Sequence, residues 1–157
     1  MQSIFSGIRQ AAARLFALLA VVSVAACGGM PTLPVGGGPR INTNAPVPVA
    51  LLVPAGSGQA GDQTLAQSLE NAARLAMSDL AGVQIDLRVY STAGQAAGAA
   101  EAAATAVADG ARVLIGPVYG NAAAAAGAAV RGRGINVLAF SNNTDIAGGN
   151  VFVLGNT

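Results

Sequence analysis

The sequence predicts an α/β protein with an open, mostly parallel sheet and helices on both faces. Strand-like apolar runs alternate with helical patterns from residue 47 onward, a spacing that indicates right-handed crossovers between parallel strands. The second strand alternates apolar and polar residues, as an edge strand does, whereas the first, third and fourth are apolar throughout. This difference predicts the strand order 2-1-3-4, with a switch point between strands one and three.

The first strand is predicted over residues 47–53 and is ended by Pro54, and the first helix is predicted over residues 62–80. An ion pair four residues apart, Glu70 with Arg74, supports the helix. Apolar residues at helical spacing define the face that we expect to pack on the sheet. They are Leu65, Leu69, Ala72, Ala76 and Leu80.

The rest of the folded region repeats the same alternation. A helix that starts at Asn121, whose side chain can cap it, follows the third strand and frays near residue 132. The other elements are the alternating strand over residues 83–90, an alanine-rich helix over 95–109, strands over 113–115 and 135–140, and a candidate fifth strand over 151–154.

The N-terminal residues have the pattern of a secretory signal. Residues 1–26 hold no acidic side chain, and Arg9 and Arg14 precede an apolar run over residues 15–26. That run is shorter than the stretch of about 20 residues that a membrane-spanning helix needs. The residue that follows the run is Cys27, the only cysteine of the chain. The alternative to a cleaved signal is an uncleaved anchor helix in which Cys27 is buried.

The segment Val24-Ala25-Ala26-Cys27 resembles the bacterial lipobox, in which the cysteine is acylated and becomes the first residue of the mature protein. The resemblance implies a lipid anchor at Cys27 and a protein that faces the periplasm from a bacterial membrane. The next residue is Gly28 and not Asp, which in the sorting pattern favours the outer membrane. We therefore expect a membrane partner through the lipid.

Composition excludes several classes of function. Two of the eight arginines precede residue 27, so residues 27–157 carry six arginines and seven acidic residues, a side-chain charge of 6 − 7 = −1. They contain no cluster of basic residues that could bind nucleic acid.

The distribution of prolines predicts where the folded domain begins, because residues 28–48 hold five of the seven prolines. We predict a signal peptide over 1–26, a lipidated and flexible tether over 27–46, and a folded domain over 47–157.

The sequence offers few groups for catalysis. It contains no histidine and no lysine, so it cannot build a His-based triad, a Schiff base or a zinc site of the usual kind. The carboxylates, Asp62 among them, fall mostly at helix ends and are expected to be solvated; only Asp145 lies in a loop of the expected cleft. We therefore predict no enzyme, no catalytic residue, no metal and no cofactor.

One glycine-rich loop raises the alternative of a dinucleotide-dependent enzyme. Gly56, Gly58 and Gly61 form a G-x-G-x-x-G pattern between a strand and a helix. The residues Pro54 and Ala55 separate the strand from these glycines, and no acidic residue ends strand two. A flexible loop over the cleft accounts for the pattern better.

Ligands of such sheets bind at the carboxyl ends of the strands near the switch point. Loops at residues 54–61, 117–121 and 141–145 lie there, and two of them concentrate neutral polar side chains beside helix N-termini. The alternative is that Asn121 and Ser141 only cap helices and that residues 142–143 form a turn. The candidate ligand- or partner-facing residues are Gly56, Ser57, Tyr119, Gly120, Asn121, Ser141, Asn142 and Asn143.

Several segments resemble the leucine-binding family of type 1 periplasmic binding proteins. Residues 47–54 and 71–76 are similar to the start of that fold, and residues 113–117 and 135–142 match its third and fourth strands with their ligand-facing loops. The resemblance covers residues 47–157 and implies one lobe of that fold. Because the family has two lobes, we expect this chain to be a fragment or a truncated reading frame; the alternative is a natural single-lobe protein.

The resemblance implies two functions. With its lipoprotein leader and tether, the chain is particularly similar to penicillin-binding protein activators, which stimulate peptidoglycan synthases; the expected partner is then a penicillin-binding protein. The alternative is the substrate-binding lipoprotein of an ABC importer for amino acids or related small polar solutes. Amino-acid binders usually place Ser or Thr hydroxyls in the loop after strand three, where this chain has Tyr119, Gly120 and Asn121.

Overall fold

The computed structural model describes residues 40–155; the leader, Cys27 and most of the expected tether lie outside the described residues. Five parallel strands form one sheet in the order β2-β1-β3-β4-β5. This confirms the predicted order and adds the fifth strand beside β4. The strands are β1 (Val47–Val53), β2 (Ile85–Ser91), β3 (Val113–Ile115), β4 (Asn136–Ala139) and β5 (Val151–Val153).

Within residues 40–155, three α-helices cover the sheet. They are α1 (Ala60–Ser78), α2 (Ala96–Ala108) and α3 (Gly120–Val130), with short 3₁₀ helices at Arg131–Arg133 and Thr144–Ile146. The helix α1 packs on one face, and α2 and α3 pack against each other on the opposite face. In residues 40–155, no helix combines the length and the apolar character that crossing a membrane requires.

The hydrophobic pattern of each strand matches its place in the sheet. The central strand β1 pairs with β2 on one side and β3 on the other, and six of its seven residues are buried. The outer strand β2 pairs with β1, and its residues are half-buried or exposed. An ion pair between Arg88 and Asp86 at 2.6 Å places charge on this edge, which discourages pairing with another chain.

The larger core lies between the sheet and helices α2 and α3. Strand residues provide its bulk, with Leu52, Leu114 and Val137 fully buried. The helices contribute small side chains, which let them lie close to the sheet but bury little apolar area each. These helix residues are Ala99, Ala102, Ala103, Ala106, Ala122, Ala123, Ala126 and Val130.

The inward face of α1 differs from the predicted one. Ala66, with Leu69 and Ala73 beside it, packs on Leu51 and Val53 of β1. The predicted packing face of α1 was partly wrong, because the helix is rotated about its axis so that some of the predicted residues point to solvent. These exposed residues are Ala72, Ala76 and Leu80. Apolar side chains lie on several sides of α1, so the spacing alone did not determine which side packs.

Candidate functional site

The carboxyl ends of the strands are held together by contacts between the loops that follow them. Thr92, buried just after β2, donates from both its backbone N–H and its hydroxyl to the carbonyl of Val53, at 2.8 and 3.0 Å. Phe140, just after β4, donates its N–H to the carbonyl of Pro117 at 3.0 Å. These bonds fix two pairs of loops on either side of the switch point between β1 and β3.

A side-chain contact spans the switch point itself. Tyr119, in the loop after β3, donates its phenol hydrogen to Oδ1 of Asp62 in the first turn of α1, with 2.5 Å between the oxygens. Asp62 is 6% exposed, which corrects its prediction as a solvated carboxylate. Sequence reasoning missed it because a residue at a helix end is usually solvated, and only the folded loops cover this one.

The surroundings of Asp62 favour its ionised form. Hydrogen bonding by the hydroxyl of Ser57, and then by the phenol of Tyr119, lowers the pKa of Asp62 below its ordinary value. The same contact with the carboxylate raises the pKa of Tyr119 above that of a free phenol. At neutral pH the pair therefore consists of a carboxylate and a neutral phenol.

Gly94, in the loop after β2, completes this group of residues. A Cβ at this position would lie 3.1 Å from Cβ of Ser57, 3.2 Å from Oδ2 of Asp62 and 3.4 Å from the ring of Tyr119. Its φ is +67°, a conformation that glycine adopts without strain. Ser57, Asp62 and Tyr119 therefore pack so closely around Gly94 that even a Cβ would require them to shift.

The loops after β3 and β4 also meet. A Cβ at Gly120 would lie 3.3 Å from the hydroxyl of Ser141 and 3.4 Å from Cβ and Nδ2 of Asn143. The buried Ser141 accepts the N–H of Asn143 at 3.1 Å, and Asn143 accepts the N–H of Asp145 at 3.0 Å. Because Tyr119 and Gly120 are adjacent, the two groups of residues form one surface.

The structure thus brings together five of the eight candidate residues, namely Ser57, Tyr119, Gly120, Ser141 and Asn143. The other three lie at the margin. Gly56 lies beside the Ser91 hydroxyl, where a Cβ would approach it to 3.5 Å, and Asn142 is exposed. Asn121 is exposed and its side chain accepts the N–H of Ala122.

The predicted cap at Asn121 was wrong. Helix α3 begins one residue earlier, at Gly120, so the N-cap position belongs to Tyr119, which makes no side-chain capping bond. The phenol of Tyr119 is engaged by Asp62 instead. The side chain of Asn121 accepts the N–H of Ala122, so an anion at this end of α3 can be received by the N–H groups of Gly120 and Asn121.

This surface offers hydroxyl and amide groups, a helix N-terminus and one buried carboxylate. In the part of the chain that the structure describes, no second carboxylate is hydrogen-bonded to Asp62. Within residues 40–155, no group of three or more His, Cys, Asp or Glu side chains could hold a metal ion.

Comparison with known proteins found a matching family model and similar solved structures. A family model described as a periplasmic binding protein matches residues 46–157. Among solved structures, the chain is similar to the leucine-, isoleucine-, valine-, threonine- and alanine-binding protein of Brucella ovis in its closed conformation, with 24% identity and a TM-score of 0.47. The match covers 62% of this chain and 27% of the length of that protein. No curated protein sequence matches the chain.

The matched family also agrees with the fold. Its members are binding proteins of the periplasm and in general are not enzymes. The sheet order 2-1-3-4-5 corresponds to one lobe of a type 1 periplasmic binding fold, as the sequence resemblance predicted. The family match runs from the residue before β1 through all five strands, and so the chain belongs to the periplasmic binding protein family.

Proposed function

We propose that this chain binds a small polar solute that carries a carboxylate, such as an amino acid, as the substrate-binding lipoprotein of an ABC importer. The observation that carries the proposal is the N-terminus of α3, where the N-cap residue Tyr119 makes no side-chain capping bond, next to Ser141 and Asn143. A helix N-terminus attracts a carboxylate, and neighbouring hydroxyl and amide groups can fix its orientation. Membership of a binding-protein family supports this use of the surface.

Calorimetry on the full chain tests the proposal. L-leucine, L-alanine and L-threonine are titrated in turn, and at least one is expected to give saturable heat. Ser141→Ala is expected to weaken binding at least tenfold because it removes the hydroxyl that holds Asn143. The matched control is Ser78→Ala at the far end of α1, which should leave affinity unchanged. Absence of saturable heat with all three amino acids would count against the proposal.

A second function, favoured by the N-terminal sequence, is activation of a penicillin-binding protein. The lipobox-like segment at Cys27 and the proline-rich residues after it suit a domain that is tethered to a membrane and contacts a synthase. Adding the full chain to a purified peptidoglycan synthase should then raise its rate. Micromolar binding of an amino acid, with no change in synthase rate, would reject this second function.

Both functions place the protein on a membrane through a lipid at Cys27, with the outer membrane favoured because Gly28 follows the cysteine. Several acyl chains hold a protein on a bilayer, since each buried methylene contributes about 0.8 kcal/mol. Intact-mass analysis of membrane-extracted protein should show a mature chain that begins at diacylglyceryl-modified Cys27. A mature chain that begins at another residue would refute the anchor.

A further inference from the structure

Four of the six arginines in residues 40–155 lie at one end of the sheet. All five strands are parallel, so the loops that precede them meet at the edge opposite the candidate site. Arg112 directly precedes β3, and Arg131 and Arg133 belong to the 3₁₀ helix that leads to β4. Arg40 lines a cavity of about 200 Å³ together with Arg112. We call these four residues, Arg40, Arg112, Arg131 and Arg133, the arginine end.

The charge of the arginine end is not neutralised by neighbouring carboxylates. All four guanidinium groups belong to exposed residues, and each ion pair in residues 40–155 joins residues outside this group. Asp79 and Asp109 lie at the same end, at the C-caps of α1 and α2. In the part of the chain that the structure describes, the opposite end carries Asp62 and Asp145 and no arginine. The domain is therefore positive at the end away from the candidate site.

Exposed apolar side chains accompany these arginines. Ile41 is 49% exposed and Leu80 is 52% exposed. Ile41 lines the cavity that Arg40 and Arg112 share, and Leu80 lines a second cavity with residues 43–45. Apolar side chains of this kind enter the interfacial layer of a bilayer, while arginines beside them contact the headgroups. This end thus combines the two types of side chain that bind the surface of an anionic membrane.

The sequence connects the arginine end to the expected lipid. Arg40 is the described residue nearest along the chain to Cys27, and twelve residues separate the two. A lipid at Cys27 would therefore bring the domain to a bilayer with its arginine end nearest along the chain. Electrostatic attraction to anionic headgroups acts over a screening length of about 10 Å, so this proximity is what makes the charge effective.

We propose that the arginine end binds the anionic headgroups of the membrane to which the protein is anchored. The inference rests on the lipid anchor at Cys27 that both proposed functions include. Each arginine close to such a surface contributes about a fivefold preference for the bound state. The candidate site, at the opposite edge of the sheet, then faces away from the membrane, where a solute or a partner protein can reach it.

Hydrogen exchange on vesicles tests the proposal. Because Cys27 is the only cysteine, the full chain can be coupled through its thiol to a maleimide lipid. One set of vesicles is phosphatidylcholine, and the other mixes it equally with phosphatidylglycerol. Backbone exchange in residues 110–112 and 131–135, read by mass spectrometry, should be slower by about fivefold or more on the anionic vesicles. Exchange in residues 56–58 and 142–145 should be unchanged, and high salt should abolish the difference.

Substitutions then separate charge from shape. Arg112→Gln/Arg133→Gln should lose the slowing, whereas Arg112→Lys/Arg133→Lys, which keeps both charges, should retain it. Arg74→Gln removes an exposed arginine from the side of α1 and should also retain it. Equal exchange on both sets of vesicles, slowing that persists in high salt, or slowing in Arg112→Gln/Arg133→Gln would each overturn the inference. Chemical coupling supplies the anchor, so this result is independent of the mass analysis that tests acylation of Cys27.

Discussion

Tyr119 donates a hydrogen bond to Asp62 across 57 residues of sequence, with 2.5 Å between the two oxygens. The bond joins the loop after β3 to the first turn of α1, on opposite sides of the switch point where ligands of parallel sheets bind. Because Tyr119 is also the N-cap residue of α3, the contact fixes the start of two helices relative to each other. The stability of the fold therefore depends on a pair of side chains that lies on the surface proposed for recognition.

The first prediction concerns the phenol of Tyr119. Tyr119→Phe should lower the free energy of unfolding more than Tyr90→Phe does. Both phenols donate to a carboxylate, but Tyr119 bonds a 6%-exposed Asp62, whereas Tyr90 bonds Asp109 at 2.9 Å in an exposed setting. Hydrogen bonds to charged groups contribute more when water cannot replace them. Urea denaturation of both variants at neutral pH measures the difference, and equal losses would contradict the prediction.

A second prediction is a pH dependence that belongs to Asp62. The pKa of Asp62 in the folded protein lies below its ordinary value of 3.8, so ionisation of this group stabilises the folded state. That contribution is fully present above pH 3.8 and is lost as the pH falls through the lowered folded pKa. The other carboxylates contribute equally to the pH dependence of the free energy of unfolding in the wild type and in Asp62→Asn, so their contributions cancel when the two proteins are compared.

The measurement is the difference in free energy of unfolding between the wild type and Asp62→Asn, followed from about pH 5 down to about pH 2. The advantage of the wild type should shrink as the pH falls. A difference that stays constant over this range would show that ionised Asp62 does not stabilise the fold.

Sequence patterns predicted the sheet better than the site. The order of the strands was predictable because burial on both faces requires continuous apolar strands, and β2 alone alternates. The burial of Asp62 was not predictable, because it depends on Ser57 and Tyr119. Both residues lie in loops, whose path cannot be predicted from the periodicity of apolar residues. The start of α3 with Tyr119 at its N-cap position was missed for the same reason, since Asn121, two residues later, is the better capping residue by type.

A third prediction tests the division of the core between strands and helices. Leu114 is fully buried at the centre of β3, and Leu114→Ala should cost about 2–5 kcal/mol because it leaves a cavity. The control is Leu75→Ala on α1, where the side chain is 69% exposed and the change should stay within about 0.5 kcal/mol. Urea denaturation measures both, and comparable losses would show that the core does not depend on the strands.

The fourth prediction uses one substitution at two glycines to separate helix propensity from packing. At Gly127 in α3 a Cβ would overlap Cγ2 of Val151 on β5, so Gly127→Ala should destabilise the protein by about 1–3 kcal/mol. At Gly61 in the first turn of α1 a Cβ would meet nothing within 4 Å, and Gly61→Ala should stabilise by up to about 1 kcal/mol.

The opposite signs follow from physical terms that compete at both positions. Alanine restricts the unfolded chain and favours a helix wherever it is placed, but at Gly127 this gain is smaller than the cost of moving α3 away from β5. Thermal or urea unfolding of the two variants gives both signs in one experiment. Stabilisation by Gly127→Ala would mean that α3 can move away from Val151 at little cost. In that case the alanine-rich helices would pack less tightly on the sheet than their close approach indicates.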